Sequence, residues 1–201
     1  MTIESFAEAL EKVVRRQRPS AVRMREADFE FHHVIKPAWK VAARHPEIHL
    51  CVHPSSPRKR CLGGCKVAAG HPNQRRRGCP DCWRDSKGWS VIRAYGLKHN
   101  FDLVARDARN RSMAVEVKWL SYKSGRGPNS EFQRFVGQCM LAAARHSAVL
   151  GICCVTGQRG KSFTVAERHL EKELEKKLND KLDDVGVRLV VLRRGAVRRA
   201  G

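Results

Sequence analysis

Apolar residues recur at different periods along the chain, and each stretch of constant period predicts one element. Over residues 4–17, Phe6, Leu10, Val13 and Val14 fall at helical spacing among Glu, Lys and Arg, so an amphipathic helix is expected. Arg18-Pro19-Ser20 ends it. A second helical pattern covers 26–44, with Phe29, Val34, Ile35 and Trp39 apolar and Pro37 expected to kink or interrupt it. Residues 47–52 suit a short strand. Strand patterns return at 88–97, 100–107 and 112–119, the last two divided by the polar turn 107–111. A helix is expected over 131–142, capped by Asn129 or Ser130. Its core stripe is Phe132, Phe135, Val136, Cys139, Met140 and Ala143, with Arg134, Gln138 and Arg145 on another face. A strand over 148–155, a helix over 163–182 with a leucine at every fourth position from Leu170 to Leu182, and a strand over 185–192 complete the pattern. That order predicts an α/β sandwich with a mixed central sheet flanked by helices.

Three charged positions interrupt the two apolar strands 100–107 and 112–119. Side chains alternate across a strand, so Glu116 and Lys118 share one face while Val115, Val117 and Trp119 take the other. If the strands pair as a hairpin, Asp102 converges on Glu116. An unpaired buried charge is costly. A hard divalent cation held by Asp102 and Glu116, with the Val117 carbonyl as a third oxygen ligand, would give the carboxylates a reason to be there. Lys118 would then stand beside the water such a cation activates. The same residues also suit a cross-strand ion pair on a solvated sheet face.

Asp102, then Glu116-Val117-Lys118, then a helix bearing Gln138, then the apolar strand 148–155 resembles the PD-(D/E)xK, or restriction-endonuclease-like, nuclease superfamily. The resemblance runs from about Trp89 to about Arg194. Phe101 stands where the superfamily's proline would precede Asp102, and Ala142 stands where a tyrosine often follows the glutamine. Gln133 is an alternative match for Gln138. The resemblance implies a restriction-endonuclease-like core, Mg²⁺ or Mn²⁺ on Asp102, Glu116 and Val117, and catalytic roles for Asp102, Glu116, Lys118 and Gln138. It also implies an acidic residue on a helix ahead of the sheet that assists the metal. Glu30 is the candidate, with Glu8 and Glu11 as alternatives.

Charge narrows the partner. The chain has 40 Lys and Arg against 20 Asp and Glu, a formal net charge of +20 over 201 residues. So large an excess points to a polyanion, with DNA preferred over RNA. No run approaches the ~20 apolar residues of a membrane span. The first residues lack the apolar core of a signal peptide, so an intracellular protein is expected, cytoplasmic or, in a eukaryote, nuclear. In that compartment the eight cysteines are expected as thiols or metal ligands rather than disulfides.

Residues 51–87 lack aliphatic periodicity and cannot bury a core alone, so another force must hold them. Cys79-Pro80-Asp81-Cys82 is a C-x-x-C knuckle, and Cys61-Leu62-Gly63-Gly64-Cys65 is the same device with one extra residue. Thirteen residues separate the pairs, close to the spacing of four-cysteine zinc modules. A structural Zn²⁺ on Cys61, Cys65, Cys79 and Cys82 is expected. Cys51 or His53 could replace one ligand, and an iron–sulfur cluster is an alternative. Cys139, Cys153 and Cys154 lie on apolar elements and are expected in the core. The segment carries nine basic residues against Asp81 and Asp85. Arg58, Lys59, Arg60, Arg75, Arg76 and Arg77 there, with Lys123 and Arg126 in the loop after the Glu116 strand, are the candidate phosphate contacts.

Three segments are expected: a helical one over 1–50, the cysteine-rich basic zinc segment over 51–87, and a nuclease-like core over 88–201. The expected function is metal-dependent hydrolysis of phosphodiester bonds in DNA, endonucleolytic rather than exonucleolytic, with a homodimer as one assembly open to it. The rival is an inactive zinc-containing nucleic-acid-binding module, or a subunit of a nucleic-acid-processing complex.

Overall fold

The computed structural model describes residues 1–17, 19, 26–45, 47–52, 101–121, 129–156 and 165–193. The strand expected at 88–97, the zinc cysteines, Arg58, Lys59, Arg60, Arg75, Arg76, Arg77, Lys123 and Arg126 lie outside them.

Helix α1 (Ile3–Arg15) starts where the Thr2 hydroxyl accepts the Ser5 N–H, a side-chain cap on one of the helix's free donors. Ile3, Phe6, Leu10 and Val14 form its buried stripe. A continuous helical run follows as α2 (Glu26–Glu30), a π turn (Phe31–Ile35) and α3 (Lys36–Ala42). The irregularity expected at Pro37 therefore takes the form of a widened turn rather than a break. Proline has no N–H to return to the preceding turn, and the Lys36 N–H instead reaches back five residues to Phe31 O.

Five strands form one sheet in chain order: β1 (His49–Val52), β2 (Leu103–Arg106), β3 (Ser112–Ser121), β4 (Ala148–Thr156) and β5 (Val187–Arg193). β2 runs antiparallel to both β1 and β3, while β3, β4 and β5 run parallel. A parallel pair needs a crossover, and α4 (Asn129–Ala143) and α5 (Val165–Leu182) supply the two. The sheet is therefore mixed and flanked by helices on both faces. The N-terminal helices cover the face that carries Leu103, Met113, Val115, Val117, Ile152 and Val190. The other face carries Val104, Ala114, Val149, Cys153, Val187 and Leu189 beneath Phe135, Cys139 and Ala142 of α4 and Leu182 of α5. All three cysteines expected in the core are buried.

Asp107 ties the β2–β3 turn to the start of α1. Its carboxylate accepts the N–H groups of Ile3, Arg109 and Arg111 and the Arg111 guanidinium. Burial opposes its ionisation, but the bonds from the Arg111 side chain and the backbone outweigh that and hold it below the usual carboxylate range. At the far edge of the sheet the amide of Asn179 bonds both main-chain groups of Leu189, and Glu175 accepts the Val191 N–H. Side chains of α5 thus cover polar groups that an edge strand would leave open.

Three sequence expectations differ from what is observed. Met140 is exposed and Ala142 buried, so the α4 stripe lies one position round from the expected one. Leu182 is buried but Leu174 is 57% exposed. Four residues advance a helix by about 40° beyond a full turn, so a leucine row of that spacing winds off the sheet. Val185 lies in a 3₁₀ turn (Asp183–Val185), and β5 begins only after Gly186. Gly186 has φ 69°, and a Cβ there would lie 3.1 Å from Ser147 O, which explains the glycine.

Candidate active site

The β2–β3 register decides where the acidic residues fall. The paired register ends at Leu103 opposite Val115, and Asp102 lies one residue outside it. Asp102 lies just before β2, and its N–H reaches Val115 O, the residue opposite Leu103, at 3.1 Å; the alternation breaks here as at a bulge, so Phe101 packs on the α4 side and Leu103 on the other. Its carboxylate turns onto the edge of β3 and accepts the Val117 N–H at 2.8 Å. The Asp102 carboxylate thus meets the main chain of β3 one residue beyond Glu116.

Glu116 follows Ala114 by two residues and so projects from the α4 side of the sheet. It is buried, with 5% of its surface exposed. Opposite it on β4 stands Gly151. A Cβ at Gly151 would lie 2.7 Å from the Cys139 sulfur and from Leu189 Cδ2, and 2.8 Å from Phe135 Cζ, so the glycine is what lets α4 sit this close. Burial first, then the charge of Glu116 and the neighbouring Cys153, push the Cys139 thiol well above its ordinary value. Cys139 is a buried, inert thiol that senses the Glu116 carboxylate.

Lys118 follows on the same strand. Its ammonium pairs with Glu26 Oε1 at 3.5 Å, and the other oxygen of Glu26 accepts the Trp119 N–H at 2.9 Å. Glu26 is held there by its helix, because Phe29 packs edge-on against Trp119 at 5.4 Å. Past the start of β2, the N–H groups of Val117 and Trp119 are therefore taken by two carboxylates, Asp102 and Glu26. In a strand the N–H and C=O of one residue leave on the same side, so the Val117 carbonyl faces this same edge.

Glu26 is the functional candidate that sequence reasoning missed. It precedes Glu30 by four residues and so shares its helix face. Nothing local tells which of the two turns meets β3. Glu30 itself is buried, at 3% exposure. Glu11 binds Arg15 and Arg188 toward β5, and Glu8 faces the start of β4, so neither meets the Glu116–Lys118 segment. Gln138 is half-buried, on the same helix face as the exposed Arg134 one turn before it. The backbone of Cys51 belongs to β1, while His53 lies outside the described residues.

Among the described residues, no three His, Cys, Asp or Glu side chains gather into a group that could hold a metal ion. A separate polar pair lies at the opposite end of β3, where the Ser112 hydroxyl and His146 Nδ1 are 2.9 Å apart. Burial, then Arg145 and Arg106, lower the His146 pKa to about 4, so its ring is neutral near pH 7. A cleft of about 890 Å³ lies between α1, α5 and β5, lined by Glu11, Arg15, Glu175, Asn179 and Arg188 and remote from Asp102. No helix among the described residues is long and apolar enough to cross a membrane.

No family model matches the chain, and comparison with curated proteins and with solved structures yields no match.

Proposed function

We propose that the chain is a Mg²⁺-dependent nuclease that hydrolyses phosphodiester bonds in DNA, acting within strands rather than from ends. One observation carries the reading: the Asp102 carboxylate accepts the main-chain N–H of Val117, between Glu116 and Lys118. The order of elements around them, an antiparallel hairpin followed by a helix and a parallel strand, supports a restriction-endonuclease-like core. The net charge of +20 supports a polyanionic substrate.

The donors available at this edge are the carboxylates of Asp102 and Glu116 and the carbonyl of Val117. All are hard oxygens, a set that suits Mg²⁺ or Mn²⁺. A cation held there would polarise the phosphate and make water a stronger nucleophile at neutral pH. The chain's own residues do the rest. Asp102 is oriented by the Val117 N–H, and the apolar shell around Glu116 keeps its charge poorly screened. Lys118 presents a positive charge that favours build-up of negative charge on a phosphate, and Glu26 holds that ammonium in register with β3. Gln138 and the Zn²⁺ set of Cys61, Cys65, Cys79 and Cys82 belong to the same proposal.

Purified protein incubated with plasmid, linear duplex and single strands should cleave DNA with Mg²⁺ and not with EDTA. Glu116→Ala and Lys118→Ala should each abolish cleavage and leave DNA binding nearly intact, because affinity comes from phosphate contacts spread over the basic surface. Undiminished cleavage by either variant rules this site out. A second reading, a binding module without hydrolytic activity, rests on the same net charge of +20. That reading predicts tight binding to every substrate and no cleavage under any metal.

A further inference from the structure

The helical run that begins at Glu26 carries a row of cations that no carboxylate answers. Lys36, Lys40 and Arg44 recur at every fourth position, and all three are exposed. Across the helix, Val34, Ile35, Ala38 and Ala42 are buried in the core beneath the sheet. The row therefore follows one solvent-facing flank. From Phe31 to Arg44 the chain has no Asp or Glu. The next acidic residue, Glu47, is taken by the Met1 ammonium and His45. Among the described residues, no ion pair engages Lys36, Lys40 or Arg44. Cations elsewhere are matched: Arg15 pairs with Glu11 and Glu175, and Arg188 with Glu11 and Asp183. On α5, Lys172, Lys176 and Lys177 are interleaved with Glu173 and Glu175.

The same run joins this row to the candidate site. Its first residue, Glu26, holds the Lys118 ammonium and the Trp119 N–H. Phe29 against Trp119 fixes that end on β3, and α3 packs on α1 and β1 at the other. At about 1.5 Å of rise per residue, the cations stand about 6 Å apart and about 15–27 Å along the axis from Glu26. That distance corresponds to about four to eight steps of a duplex strand at ~3.4 Å each. A duplex is stiff over a span so far below its persistence length of about 500 Å, so a phosphate held at the site brings others to the row without further ordering. A single strand would have to be straightened first. A lipid surface suits the flank poorly. An interfacial helix needs its apolar face free for lipid, and here that face is spent on the sheet.

We infer that Lys36, Lys40 and Arg44 form a phosphate-binding rail for duplex DNA that leads the substrate backbone to Asp102, Glu116 and Lys118. The inference rests on the reading of DNA as the substrate, and adds that the substrate is double-stranded.

The test is binding of the full-length protein to a labelled 20-base-pair duplex, a single strand of the same length and anionic vesicles, in EDTA across a range of salt. Changing Lys36, Lys40 and Arg44 together to Ala should weaken duplex binding at least tenfold near 0.1 M salt and flatten the log–log salt slope by roughly two to three units. Circular dichroism should be unchanged, because alanine favours helix at exposed positions. Single-strand binding should fall less. Changing Lys172, Lys176 and Lys177 together to Ala removes the same charge and should shift the slope by less than one unit. Equal effects of the two triple changes would mean that net charge alone governs binding, and would overturn the inference. A wild-type slope in the α3 triple, an equal loss on single strands, or a loss confined to vesicles would overturn it as well. EDTA separates this result from hydrolysis. A protein that needs the row to bind duplex but never cleaves with Mg²⁺ keeps the rail and loses the nuclease reading, and one that cleaves while the triple binds like wild type does the reverse.

Discussion

Gly151→Ala isolates the contact that sets α4 upon the sheet beside Glu116. The added methyl would lie 2.7 Å from the Cys139 sulfur, 2.7 Å from Leu189 Cδ2 and 2.8 Å from Phe135 Cζ. Ordinary carbon contacts are about 3.5–4.0 Å, so each neighbour must withdraw by roughly 1 Å. All three are buried, and two lie on one rigid helix, so the helix as a unit has to rise. Overpacking of this kind costs about 1–3 kcal/mol. Replacing glycine in a strand returns about 0.5–1 kcal/mol through lower unfolded-chain entropy. A net loss of about 1–2 kcal/mol is expected, which lowers the Tm by roughly 2–8 °C in a domain of this size.

A second substitution makes the reasoning specific. Cys139→Ala removes the sulfur that the new methyl would strike, so the pair nearly conserves volume. Cys139→Ala alone should destabilise by opening a small cavity. Together the two changes should cost less than the sum of their separate effects, by roughly 1 kcal/mol. Urea denaturation of the four proteins, followed by circular dichroism, measures each term. Wild-type stability in Gly151→Ala, or strict additivity in the pair, would refute the claim that glycine is needed for close approach of α4.

His146 has a folded-state pKa of about 4 against an ordinary 6.5, so between those values the unfolded chain binds more protons. Stability should therefore be level above pH 6.5 and fall as pH drops toward 4, by at most roughly 2–3 kcal/mol, and His146→Gln should remove that component from denaturation midpoints. If Cys61, Cys65, Cys79 and Cys82 hold zinc, metal analysis should find about one Zn²⁺ per chain, retained in Glu116→Ala; a zinc-free protein that folds normally refutes this, and a brown chromophore means iron–sulfur. Changing Arg75, Arg76 and Arg77 together to Ala should weaken DNA binding at every sequence and flatten the log–log salt slope by roughly two to three units, against no change if these residues only solubilise a loop.

Much of the fold was legible because its elements announce themselves locally. Period-2 and period-3.6 patterns depend only on which side chains a sheet or helix must bury, so helix, strand and their order could be read from residues 3–17, 103–121 and 148–156. The pairing of β2 with β3 was also legible, because a short polar turn between two apolar runs leaves few registers that keep both apolar sets inside, but the off-register step at Asp102 was not. What could not be read was which surface of each helix meets which neighbour. Met140 and Leu174 look like core residues by spacing alone, yet α4 and α5 lie at angles that turn both outward. Glu26 and Glu30 share a helix face, and only the docking of Phe29 on Trp119 sends Glu26 to Lys118 and the β3 edge. Periodicity is a property of one element in isolation. Contact between elements depends on their angle and offset, which are fixed by packing of residues far apart in the chain, such as Gly151 beneath Cys139 and Asp107 beneath the first turn of α1.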